Sequence, residues 1–64
     1  MRGTVTAFDS ATGLGEITDD AGRVVAFHCI VIADGTREIA VGTGVEFDLI
    51  PKLGRYEASN IVSR

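Results

Sequence analysis

The sequence contains no tryptophan, one tyrosine, three phenylalanines, and only one lysine, one proline and one cysteine. Each scarcity closes off a class of explanation. Cys29 has no second cysteine with which to form an internal disulfide, and with one histidine in the chain it cannot complete a structural zinc site of four protein ligands. Both common staples of small domains are therefore missing. The longest apolar run, from Cys29 to Ala33, stops at Asp34, far short of the roughly 20 residues that cross a bilayer as a helix. A free thiol, with a start at Met1-Arg2-Gly3-Thr4 that lacks the apolar run of a secretion signal, predicts a reducing compartment and a cytoplasmic location. Basic residues are scarce as well: six Lys and Arg stand against nine Asp and Glu, a net charge of −3. That balance argues against a binder whose affinity comes mainly from neutralising phosphates.

What is present is β-branched. Valine, isoleucine and threonine supply 19 of the 64 residues and suit a pleated surface better than a helix. A chain of this length is one small domain, burying only about 60% of the surface its unfolded form exposes. Alternation places the first strand at Gly3 to Asp9, with Val5 and Ala7 on one face and Thr4, Thr6 and Phe8 on the other. After the turn Ser10-Ala11-Thr12-Gly13, a second strand from Leu14 to Thr18 directs Gly15 and Ile17 inward. Asp19-Asp20-Ala21-Gly22 then reads as a hairpin loop. A third strand, Arg23 to Cys29, directs Val25 and Phe27 inward, and Ile30-Val31-Ile32 breaks the period of two, which predicts irregular or 3₁₀ structure. Ala33 to Thr43 is a long connection. Val45, Phe47 and Leu49 mark a fourth strand ended by Pro51, and the fifth runs from about Tyr56 to Val62. Five short strands without a helical window predict an all-β fold, a small closed or nearly closed antiparallel barrel.

The order of these signals resembles the cold-shock domain, a five-stranded oligonucleotide/oligosaccharide-binding barrel, over almost the whole chain. Arg2-Gly3-Thr4-Val5-Thr6-Ala7-Phe8-Asp9 is similar to the family's opening K-G-x-V-K-W-F-N. Thr12-Gly13-Leu14-Gly15-Glu16-Ile17 stands at the first nucleic-acid motif, K-G-F-G-F-I, and Val25-Ala26-Phe27-His28-Cys29 at the second, V-F-V-H-F. Gly42-Thr43-Gly44-Val45-Glu46-Phe47 resembles the G-x-x-V-x-F start of strand four, and Ala58-Ser59-Asn60-Ile61 the closing A-A-N-V. The resemblance implies that single-stranded RNA or DNA lies across strands one to three, with bases stacked on aromatics and lysines beside the backbone.

The surface that would do this has been replaced slot by slot. Ala7 stands where the family has tryptophan. Leu14, Glu16, Ala26 and Cys29 stand in phenylalanine slots, Thr36 in that of the loop aromatic, Thr6 and Thr12 in lysine slots, and Asp9 in that of the asparagine. Phe8 and His28 remain. A stacked base is worth about 1–3 kcal/mol, and each lost lysine removes a phosphate contact, so binding is expected to be weak. The candidate nucleic-acid-binding residues are Phe8, His28, Leu14, Arg2, Arg23, Arg55 and Tyr56, the last two as a substitute stacking pair. Three of them also have a plain structural reading: Phe8 as packing at a strand end, His28 as a solvated or hydrogen-bonded surface residue, Tyr56 as strand-end packing. Phe27 and Phe47 are expected in the core, and Cys29 as an inert, partly buried hydrophobe.

Catalysis finds no support. Asp19-Asp20 sit in a turn with neither metal partner nor base nearby in sequence, and alternation sends His28 and Cys29 to opposite faces. Gly13-x-Gly15 and Gly42-x-Gly44 lack the remainder of a dinucleotide fingerprint, so no cofactor is implied. A second reading from a different class makes the stripped face, with Ala7, Leu14, Ala26 and Cys29 around Phe8, an apolar patch for a protein partner or a second copy of the chain.

Overall fold

A computed structural model describes residues 1–32, 35 and 38–64. Five strands, β1 (Arg2–Asp9), β2 (Leu14–Asp19), β3 (Val24–His28), β4 (Gly44–Lys52) and β5 (Arg55–Ser63), close into a barrel in the order β1-β2-β3-β5-β4, with one 3₁₀ turn (Cys29–Val31) after β3. The expected all-β barrel is present, with one difference in pairing. β3 and β5 run parallel, joined at Ala26 and Glu57 and prolonged by a bridge between Ile32 and Ile61. The other ladders are antiparallel.

Alternation explains the core. Ile17 from β2, Val25 and Phe27 from β3, Val45 and Phe47 from β4, and Ala58 and Ile61 from β5 meet Val5, Cys29 and Ile32 in one buried cluster. Each large side chain there contributes about 1.5–3 kcal/mol by leaving water. Phe27 and Phe47 are each 2% exposed, as their strand parity predicts.

Three sequence expectations change. First, strict alternation in β1 fails, because the register shifts between Val5 and Ala7. Val5 faces Ile17 but Ala7 faces Glu16, which leaves one extra residue on β1. This bulge kinks the strand and rolls Phe8 toward the core, so Ala7 and Phe8 are both half-buried. Second, Pro51 does not end β4, which continues to Lys52. β1 pairs only with Gly44 to Glu46, so Pro51 lies where β4 has become an edge and a missing N–H is tolerated. Third, the 3₁₀ turn begins one residue earlier than Ile30, at Cys29. The His28 side chain accepts the Ile30 N–H and fixes the start of the turn. The connection's Thr36 lies outside the described residues.

Asp19 closes the β2–β3 hairpin from a buried position. Its Oδ1 accepts the backbone N–H groups of Ala21 and Arg23 at 2.9 and 2.8 Å, and its Oδ2 accepts Arg23 Nε at 3.0 Å. The Arg23 N–H holds this carboxyl below the usual range; burial opposes the shift, and the Arg23 guanidinium and Ala21 N–H reinforce it. The neighbouring Asp20 is exposed.

Candidate nucleic-acid interface

The bulge determines where Phe8 goes. Its ring lies nearly parallel to that of Phe27, 7° between planes and 6.0 Å between centroids, so a core phenylalanine supports a half-exposed one. Gly15 makes the arrangement possible. A Cβ there would lie 2.5 Å from Phe27 Cζ and 2.9 Å from the Ala7 carbonyl oxygen. The glycine of the first motif thus admits the ring that carries the surface aromatic.

Beside Phe8 an open cleft of about 460 Å³ crosses the barrel face. It is lined by Ala7, Phe8 and Asp9 of β1, Leu14 to Glu16 of β2, Ala26 and Phe27 of β3, and Arg55 of β5. A second cleft of about 300 Å³ adjoins it, walled by Arg23, Val24, Leu49 and Tyr56. Glu16, Ala26 and Arg55 line both. The two form one groove over β1, β2 and β3 that ends at the start of β5.

The closure of the barrel brings Phe8, Leu14, Arg23, Arg55 and Tyr56 to this groove from across the sequence. Leu14 and Tyr56 are 57% and 64% exposed, so each offers apolar surface to a ligand. Arg55 donates to Glu57 Oε2 at 2.7 Å, and Arg23 is held by Asp19; both cations thus have a carboxylate partner already. His28 faces Leu14 across the β2–β3 ladder and borders the groove without lining it. Arg2 stands apart, opposite Glu46 on the β1–β4 side. Val24, 60% exposed in the second cleft, was not among the sequence candidates, although its outward parity in β3 was a usable signal. Cys29 is buried and so does not belong to the apolar surface around Phe8.

Comparison with protein-family models adds a decisive match, because the "Cold-shock" DNA-binding domain model fits residues 1–64, the entire chain. The chain belongs to the cold-shock domain family. Searched against curated proteins, it has no significant match. Membership makes this cold-shock domain a nucleic-acid-binding module by family, and the groove covers the three strands on which the sequence resemblance places the bases. Among the described residues no group of three or more His, Cys, Asp or Glu could hold a metal ion, and no helix is long and apolar enough to cross a membrane.

Proposed function

We propose that this cold-shock domain binds single-stranded RNA or DNA weakly along the groove, with one base stacked on Phe8 and another on Tyr56. Leu14 supplies apolar contact, Arg23 and Arg55 face the backbone, and His28 stands at the border. The observation that carries the reading is the continuity of the groove from Phe8 on β1 to Arg55 and Tyr56 on β5. A strand of nucleic acid can follow it between the half-exposed ring of Phe8 and the exposed ring of Tyr56. Stacking at about 1–3 kcal/mol per base on two rings, with two cations already paired, supports affinity near the weak end of single-strand binding.

Titration of labelled oligo-dT and oligo-rU at low salt tests this. Binding is expected at high micromolar protein and should fall about five- to a hundredfold on Phe8→Ala. Absence of binding at about millimolar protein, where even non-specific association is measurable, would sink the proposal.

A second reading is favoured by the exposed Leu14, Val24 and Tyr56, which make the groove rim apolar enough for a protein surface. Self-association would then appear as a concentration-dependent mass in sedimentation, and Tyr56→Ser would abolish it. A strictly monomeric chain that recovers no partner from its own cells counts against this alternative.

A further inference from the structure

Glu16 is the residue that both clefts share from β2, at the middle of the groove. It is exposed, and its carboxylate has no hydrogen-bond or ion-pair partner among the described residues. Arg55, the cation that shares both clefts with it, is instead engaged by Glu57. A free carboxylate here repels any phosphate brought against it, so a bound strand must turn its backbone away and present base edges to this position. Alanine and half-buried aromatic surface flank it, which suits bases rather than phosphates.

An ionised carboxylate only accepts hydrogen bonds, through two oxygens side by side. Among the base edges exposed in single strands, guanine alone offers two adjacent donors, N1–H and N2–H₂, matched to that pair. Adenine and cytosine offer one amino group, and thymine and uracil one imide N–H. Parallel charge-assisted contacts of this kind are the stronger and more selective type.

We propose that Glu16 reads guanine, making this domain a selector for guanine-containing single strands rather than thymine- or uracil-rich ones. The inference rests on the groove being the binding site. Its test uses a short all-thymidine DNA strand and the same strand with one central thymidine replaced by guanine, inosine or adenine, each titrated at low salt against the parent and Glu16→Gln. The parent is expected to bind the guanine strand at least about fivefold more tightly than the thymidine strand, the lower end of what one bidentate base contact supplies. Inosine, which lacks the 2-amino group, should lose most of that preference. In Glu16→Gln the preference should shrink while affinity for the thymidine strand rises, because the repulsion of phosphates is gone. Uniform repulsion without recognition would instead raise both affinities equally.

Equal binding of thymidine and guanine strands by the parent overturns the guanine assignment and leaves the groove as a binding site. Failure of every strand to bind overturns both. Unchanged thermal unfolding of Glu16→Gln confirms that its exposed strand position carries no folding role.

Discussion

Replacing Gly15 by alanine tests the dependence of the groove on the core. The new Cβ would stand 2.5 and 2.7 Å from Phe27 Cζ and Cε1 and 2.9 Å from the Ala7 carbonyl oxygen. Carbon atoms rest at about 3.5–4.0 Å, so the ring must retreat by about 1 Å. It has little room. Phe27 is 2% exposed in the core and carries Phe8 on its face, while the Ala7 carbonyl belongs to backbone held by the β1–β2 ladder. Overpacking of this kind costs about 1–3 kcal/mol. Losing a glycine from the unfolded chain offsets about 0.4–1 kcal/mol of it. The net destabilisation of roughly 0–2.6 kcal/mol is centred near 1.3, and in a domain this small each kcal/mol moves Tm by about 4–8 °C. Thermal unfolding followed by circular dichroism, with urea midpoints to confirm an unchanged m value, reads the shift. The double variant Gly15→Ala/Phe27→Leu isolates the cause. A smaller side chain vacates the position of Cζ, so the pair should be less destabilised than the sum of its singles by about 0.5 kcal/mol or more. A Gly15→Ala protein more stable than the parent, or strictly additive costs in the double variant, would refute the account of Gly15 as the space that Phe27 needs.

Three further outcomes follow from the fold and its surface. Asp19 has its carboxyl held low in the folded state, so its contribution to stability is complete above the ordinary carboxylate value of about 3.9 and is lost as pH falls through the lower folded value. Asp19→Asn should therefore have a lower Tm at neutral pH and a shallower loss of Tm in acid, and an acid slope equal to the parent's would contradict this. Asn60 holds a left-handed backbone, φ 50°, where the β4–β5 register shifts. Asn60→Ala should lose about 1 kcal/mol in urea unfolding and Asn60→Gly little, whereas equal losses would show that the conformation is not what selects asparagine. Restoring Leu14→Phe and Thr12→Lys together should raise oligo-dT affinity about tenfold, one stacked base and one phosphate contact; no gain would mean that the strand does not pass over the start of β2.

The barrel was legible because its determinants are local and periodic. The inward parity of Ile17, Val25, Phe27, Val45 and Phe47 follows from alternation alone, and each of these residues is in the core. What alternation could not supply was the extra residue in β1, since a bulge leaves no periodic mark when its residues are Thr6 and Ala7, small enough for either face. Phe8 was accordingly expected on the outer face, whereas it leans on Phe27. The position of Arg55 and Tyr56 beside β2 and β3 was equally hidden. It depends on a parallel β3–β5 contact made at one residue pair across some 30 positions of sequence, and no short-range pattern encodes that. Residue type alone marks them in the sequence, and the barrel supplies the proximity.

Charge is where sequence and structure correct each other most. A net charge of −3 says little about a small groove, because exposed charges more than about 8–10 Å apart are screened at ordinary ionic strength. Three charged side chains line the second cleft: Arg23, Arg55 and Glu16. Each arginine also has its own partner on the strand or hairpin that carries it, so among the described residues the groove has almost no uncommitted positive charge to offer a phosphate backbone. The partly exposed Arg55–Glu57 pair is worth about 0–1 kcal/mol and can be exchanged for a phosphate at little cost, whereas Arg23 is paired with the buried Asp19, whose carboxylate would lose a partner. Recruitment of Arg55 thus gains one attraction and uncovers one repulsion, and recruitment of Arg23 costs more. On the proposed reading the electrostatic contribution is small, and recognition falls to the rings of Phe8 and Tyr56 and to the hydrogen-bonding edge of the base that meets Glu16. On that reading the replaced lysines take contacts from the backbone and the replaced aromatics take stacking from the bases, so the selectivity that remains lies in the base edge at Glu16.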